Sequence, residues 1–417
     1  MSVFITHPTG NQNVRAVLKA LVKSGKLAKF GTTLAADPSA TWLRLLPAGM
    51  RQEWLRRTFP IGGDQIWTHP VLEVARMVLP KIGLSYYARH EKGMASVDAV
   101  YRNFDMAASR QLLKLKKECQ INAVYAYEDG ALATFIKAKE LGLKCIYDLP
   151  IAYWQKGREL MLQEAARLPI WAATLGGGII DSNEKLDRKT RELELADLIV
   201  CPGQFVRDSI PAWASNKKTV MAPFGSPQLI TDGKLNLNKE YDVTRPLRIL
   251  FAGSMGQRKG LGDLFAAIKL LNRKDIELVV MGSLLAPMEF YRNELSDFTY
   301  EPGRPNEQVL ALMRSCDVFC LPSIVEGRAL VTQEAMSQGL PVIITANTGG
   351  EDMVIEGVTG FLVPVRSPEA IAQKINWFIE HRSQIPEMGK MAKLHAQKYT
   401  WENYGMQIIE AIDGLFT

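Results

Sequence analysis

Glu326 and Glu334 are separated by seven residues in the stretch 322–336. Before them, Val318–Leu321 is a short apolar run that predicts a buried parallel strand. Pro322, Ser323 and Gly327 predict a loop. From about Ala329 the pattern turns helical, with Leu330, Val331, Ala335 and Gln338 sharing a face with Glu334. Glu326 is therefore expected in the loop at the strand's carboxyl end, and Glu334 on the buried side of the helix. An ionised carboxylate there is costly unless it is paired or grips a ligand's hydroxyls; a glutamate reaching along the helix edge is the alternative. Upstream, Gly253-Ser254-Met255-Gly256-Gln257-Arg258-Lys259-Gly260 sets three glycines and two adjacent cations between an apolar run and a helical pattern. Glycines allow close backbone approach, first-turn amides point at oxygen, and cations balance charge, so residues 256–260 can hold a diphosphate. The loop is neither GxxxxGK[ST] nor GxGxxG, so two exposed cations in a turn is the plainer alternative. Residues 328–331 form a second loop entering a helix, and their amides can face the same anion. Glu334 can then accept hydrogen bonds from a ribose diol, with Glu326 beside a sugar.

These residues need strands to carry them. Short apolar runs ending in polar residues alternate with helical patterns along the whole chain, which predicts α/β structure with parallel sheets and a ligand crevice at the strands' carboxyl ends. The 417 residues suggest two domains. The pattern restarts near residue 246 after a stretch rich in Asn, Lys, Asp and Gly. The expected division is a first domain over 1–226, a linker over 227–245, and a second domain over 246–395. A final helix over 396–417 is expected to pack back on the first domain. Composition is 47% hydrophobic and 23% charged, that of a folded chain. No apolar run approaches the ~20 residues of a membrane span, and the opening residues show no signal-peptide pattern. Five cysteines, an odd number mostly in strand-like runs, fit reduced thiols in a cytosol.

The combination resembles the retaining glycosyltransferases of family 4, which have the two-domain GT-B fold. The resemblance is carried by Gly253…Arg258-Lys259-Gly260, by Cys316 to Ser323, by Glu326-x7-Glu334 continuing to Ile343, and by Gly357 to Val363. It covers about residues 247–365, while the first half matches in layout alone. It implies a nucleotide-sugar donor held by the second half. Arg258 and Lys259 would grip the diphosphate, Gly256 would line it, and Glu334 would bind the ribose. Glu326 would contact the sugar, and the amides of Ala329, Leu330 and Val331 would help neutralise the leaving phosphate. There is no Asp-x-Asp motif, so no metal or other cofactor is expected. The usual Glu-Gly-Phe-Gly is here Glu326-Gly327-Arg328-Ala329. Arg328 is thus a cation beside phosphate or sugar, or one pointing to solvent. The histidine that many members carry after a first-domain strand is replaced by Tyr147.

On the acceptor side the candidates are His7, Gly10 and Asn11 in the loop after the first strand, then Glu128, Asp129 and Asp148 at strand ends, and Gly225 before the linker. The acids are equally well read as strand-end or capping residues. Residues 1–120 carry 18 Lys+Arg against 8 Asp+Glu, a balance of +10 in a chain whose total is +6. This asymmetry suggests an anionic partner. The arginine and aromatic residues of 42–60 suit a segment lying on anionic lipid, or a helix packed on its own domain. Nucleic acid is not expected, since no aromatic-basic recognition motif appears. The expectation is a cytoplasmic enzyme, peripheral on the inner face of the membrane, with a glycan or lipid-linked acceptor. A transferase for a small acceptor, a sugar-nucleotide epimerase and a non-catalytic scaffold are the alternatives.

Overall fold

The computed structural model describes residues 1–45, 48–227 and 242–417. Most of the expected linker, residues 228–241, lies outside the described residues. The first domain contains a seven-stranded sheet in the order β3-β2-β1-β4-β5-β6-β7. Its strands are β1 (Val3–Thr6), β2 (Leu27–Thr32), β3 (Ile66–Thr68), β4 (Ala123–Tyr127), β5 (Lys144–Asp148), β6 (Leu198–Cys201) and β7 (Lys218–Met221). The second domain contains a six-stranded sheet in the order β10-β9-β8-β11-β12-β13. These are β8 (Leu247–Ala252), β9 (Ile276–Met281), β10 (Thr299–Glu301), β11 (Val318–Leu321), β12 (Val342–Ile344) and β13 (Gly360–Leu362). Every pairing is parallel. Two Rossmann-like domains thus face each other across a cleft, the GT-B arrangement.

The central strands are buried on both faces, which is why they read as unbroken apolar runs. All four residues of β1 and of β11 are buried. Strand order reverses between β1 and β4 in one sheet and between β8 and β11 in the other. These switch points open crevices at the strands' carboxyl ends. The loops after β1, β8 and β11 are therefore the ones placed for binding.

The helix Trp401–Asp413 lies on the first domain, although it follows the second in sequence. Its Tyr404, Ile408 and Ile412 share a core with Val14, Val17, Leu18 and Leu21 of the helix Gln12–Lys23. The opposite crossing was not legible in the sequence. The helix Trp154–Arg167 and the turn Pro169–Thr174 leave the first sheet and dock on the second domain. Trp171 belongs to that domain's core, with ring centroids 4.9 Å from Phe290 and 5.9 Å from Phe265, and its Nε1 donates to Glu294 at 3.2 Å. Around it runs a buried polar network. Gln257 Nε2 donates to Glu164 at 2.9 Å and to Asp263 at 2.8 Å, and Arg167 and Arg366 pair with Glu164. Leu160 and Met161 of the same helix pack on Ile324 and Val325.

Candidate functional site

After β8 the chain makes a single turn, Gln257–Lys259, and re-enters helix at Leu261. Gly260 has φ 74°, and a Cβ there would run into the Pro322 carbonyl, so the loops after β8 and β11 lie directly against each other. Backbone bonds stitch them together: Ile324 N donates to Arg258 O at 2.9 Å, and the Arg258 guanidinium donates to Val325 O at 3.0 Å. This register delivers Lys259 Nζ onto Glu326 Oε2, with Arg258 Nη1 3.3 Å from the same oxygen. Both side chains are largely covered, Glu326 at 13% exposure and Lys259 at 12%. Burial pushes the Glu326 carboxyl up, but Lys259, Arg258 and the Gly327 amide outweigh it, and the group sits below its ordinary range. Lys259 also sits below its ordinary range: burial, joined by Arg258, outweighs the attraction of Glu326. An ammonium whose desolvation is only partly offset gains from a second anion.

The opposite wall is the helix Leu330–Ser337. Its buried face is Thr332, Gln333, Ala335, Met336 and Ser337. Glu334, expected on that face, is half-buried at its margin, because it looks into the cleft. Asn306 Nδ2 donates to it at 2.8 Å, and burial raises its carboxyl. The cleft between the domains is about 670 Å³, and from the second domain Lys259, Glu326, Arg328, Ala329, Leu330, Val331 and Glu334 are among its lining residues. Asn11, Gln12, Asn13, Tyr127, Pro150 and Ile151 line it from the first. Gly303, Arg304 and Asn306 also border it. The sequence reading gave these three no role. Their signal is the Gly303-Arg304-Pro305 loop ahead of a helix, at the carboxyl end of a strand only three residues long.

Several expectations require correction. The Ala329 amide is not free for a phosphate, since it donates to Thr348 O at 3.1 Å. Gly256 faces away from the cleft: a Cβ there would strike the Thr174 carbonyl, and Gln257 N donates to Thr174 Oγ1 at 3.0 Å. Arg328 borders the cleft but does not reach out to solvent, and its guanidinium is already paired within the protein. It is 3% exposed. Its guanidinium donates to both Asp352 oxygens, at 2.7 and 3.1 Å, and lies 4.7 Å above the Tyr399 ring. Its partner lies 24 residues downstream, beyond the reach of local pattern.

The first-domain acids, candidates either for the cleft or for structural roles at strand ends, are each engaged within the domain. Glu128 is buried beside Lys189 at 3.4 Å, and Asp129 pairs with Arg188 at 2.6 Å. His7 is turned inward against the Tyr127 ring, 4.3 Å between centroids. Its Nδ1 accepts from the Gly10 amide at 2.7 Å and the Thr9 amide at 3.2 Å, which fixes the loop. Burial, then Arg15 and Arg57, lower its pKa to about 3, so the ring stays neutral. Gly10 lies beneath the Phe59 ring rather than in the cleft. Asn11 does line the cleft, and its side chain also caps the helix Gln12–Lys23 through Val14 N at 3.1 Å. Gly225 borders a recess beside Glu334, where Trp401 packs too closely to admit a side chain.

Asp148 is 1% exposed. Asn13 Nδ2 donates to it at 3.2 Å, and burial raises its carboxyl to about 7. The folded protein therefore holds this proton while the unfolded chain has lost it. Stability falls as pH rises from about 4 to about 7. Asp148→Asn removes this penalty and should stabilise the fold by ~2–4 kcal/mol at pH 8. The gain should shrink steadily toward pH 4. Denaturant titrations at several pH values would show it, and a pH-independent difference would refute the assignment.

Residues 235–383 match the family described as Glycosyl transferases group 1. The chain is 25% identical over 223 residues to an uncharacterized glycosyltransferase of Methanocaldococcus jannaschii, covering 53% of this chain and 60% of that one. It is 27% identical over 263 residues to a putative colanic acid biosynthesis glycosyltransferase of Salmonella typhimurium, covering 57% of this chain and 62% of the other. The chain thus spans less than two thirds of each of these relatives. Among solved structures it is similar to Anabaena HepE in complex with UDP, with a TM-score of 0.58 at 16% identity, covering 99% of this chain and 100% of that one. The two-domain fold is shared along its full length, and the similarity to group 1 glycosyl transferases lies in the half that holds Lys259, Glu326 and Glu334.

Proposed function

We propose that this chain is a retaining glycosyltransferase that works without a metal ion. It moves a sugar from a nucleoside-diphosphate donor to a glycan or lipid-linked glycan, in the synthesis of a bacterial cell-surface polysaccharide or lipopolysaccharide. The observation that carries the reading is the meeting of Lys259 and Glu326 on one wall of the cleft, with Arg258 behind them on the same Glu326 oxygen, and Glu334 and the start of the helix Leu330–Ser337 on the other. In this reading the donor's diphosphate takes up Lys259 and the first-turn amides of Leu330 and Val331. Glu334, held by Asn306, accepts from the ribose hydroxyls. Glu326 lies beside the sugar, where its charge stabilises the oxocarbenium character of the breaking bond. The acceptor attacks from the face the leaving group vacates, and a departing phosphate oxygen takes its proton.

The acceptor class rests on the surface-polysaccharide relative and on the basic first domain. Among the described residues no helix is long and apolar enough to cross a membrane. The proposed location is the cytoplasmic face of the membrane.

A screen of nucleotide-sugars, read by released nucleotide and by thermal stabilisation, tests the donor. With the preferred donor, Glu334→Ala should lower kcat/KM by about 10–100-fold, mostly through KM, since it removes a hydrogen bond to a charged acceptor. An unchanged KM would take Glu334 out of the donor site.

A further inference from the structure

We propose that the ridge formed by residues 78–94 docks this protein on an anionic lipid bilayer. From Pro80 to His90 every residue is exposed except Ala88, which is half-covered. The run is not polar. Ile82 and Tyr86 are each 62% exposed, Met94 63%, Leu84 42% and Val78 40%. Scattered apolar residues on a surface need no explanation, but a contiguous cluster does.

The ridge is also well ordered. The helix Val71–Val78 runs into two tight turns, Leu79–Ile82 and Ser85–Ala88, with Gly83 between them. Leu84 N donates to Leu79 O at 2.9 Å, and Ala95 N donates to Tyr87 O at 2.8 Å. Its base is pinned to the rest of the domain: His90 meets Asp181 at 3.0 Å, and Ser182 N donates to Glu91 at 3.2 Å. The apolar tips are thus held outward by structure at their base.

Charge selects the partner. The ridge carries Lys81, Arg89 and Lys92 against one acid of its own, Glu91, which the Ser182 amide already engages. Lys81 also pairs with Glu53 at 2.7 Å, which leaves Arg89 and Lys92 as the ridge cations without an ion pair among the described residues. The Arg89 guanidinium lies 4.8 Å above the Tyr86 ring, so cation and apolar surface are presented together. Apolar tips with basic flanks suit the interface of a negatively charged leaflet. The segment 42–60 has this composition in sequence and keeps Arg44, Arg51 and Arg56 exposed, but three of its side chains are used inside the domain. Leu43 is 2% exposed, Phe59 packs on Phe30 at 4.7 Å, and Arg57 donates to the buried Glu73 at 2.5 Å. Among the described side chains, residues 78–94 present the larger exposed apolar surface of the two. The inference rests on the reading above in placing the acceptor at a membrane.

Co-sedimentation tests it, using the full chain with vesicles of phosphatidylcholine alone or mixed equally with phosphatidylglycerol. The wild type should bind the mixed vesicles and not the neutral ones. Two variants, Ile82→Ser/Leu84→Ser/Tyr86→Ser and Lys81→Glu/Arg89→Glu/Lys92→Glu, should each weaken binding by about tenfold or more. The control Arg44→Glu/Arg51→Glu changes exposed charge off the ridge and should bind nearly as well as wild type. Wild type that ignores mixed vesicles, or ridge variants that bind like wild type, would overturn the proposal. So would a wild-type dimer that the serine variant dissociates, because the ridge would then cover a second copy. Vesicle binding without sugar transfer would leave the ridge in place and retire the transferase reading; transfer to a soluble acceptor without vesicle binding would do the reverse.

Discussion

Lys259→Ala should lower kcat/KM for sugar transfer by about 10²–10³-fold while the protein remains folded, the usual cost of removing one pre-positioned group that meets transition-state charge. Lys259 is a largely buried cation of the cleft, and its ammonium already sits on Glu326 beside Arg258. Arg258 cannot take over, because its guanidinium is also committed to the Val325 carbonyl. The same geometry predicts how the losses combine. Glu326→Gln removes the lysine's charged partner and should itself be severe. The double variant should be little worse than either single one, since the two side chains act as a unit. Steady-state kinetics on the four proteins, with folding checked by circular dichroism, would decide it. Additive losses would mean that Lys259 and Glu326 serve separate steps.

Trp171→Ala should destabilise the protein by about 3–5 kcal/mol, the range for emptying a large buried aromatic site. Trp171 is 1% exposed and ringed by Phe265, Phe290 and Tyr291. Truncation also strips Glu294 of its indole donor. The effect should reach the site. Trp171 packs against Gly262, and Thr174, three residues on, holds the Gln257 amide at the start of the Arg258–Lys259 turn. Donor KM should therefore rise, and Trp171→Phe should recover much of both losses. Urea unfolding midpoints and donor titrations provide the readings. A stability change below about 1 kcal/mol would show that the second domain's core closes without this side chain.

The second domain was the more legible half. Strands β11 and β12 are wholly buried, and β8 and β9 are buried except within their first two positions, so their sequences are largely apolar runs, and each loop after them carries glycine, proline or charge. The short strands β3, β7 and β10 lie at or near sheet edges, and too few residues there sustain a pattern. Glu326, Lys259 and Glu334 were legible because the spacing of loop and helix alone carries them to one cleft. The first-domain acids were not. Asp148 ends a strand just as a ligand-binding carboxylate would, but it faces Asn13 and the core. Which side a strand's last residue takes depends on pleat and packing, and polarity alone does not report it. Arg328 was legible as a cleft residue but not in its pairing, which is set by Asp352 and Tyr399, residues that only the fold brings near.

The docked segment 154–174 bears on how this protein can be recombined. A chimera cut between the two sheets near residue 227 would pair a foreign Trp171, Thr174 and Glu164 with this chain's Phe265, Gln257 and Asp263. The transplanted half would bring its own catalytic loop but lose the scaffold that holds that loop in register. The transferable unit is therefore discontinuous, the second domain together with residues 154–174, and donor preference should follow that unit when it is moved whole.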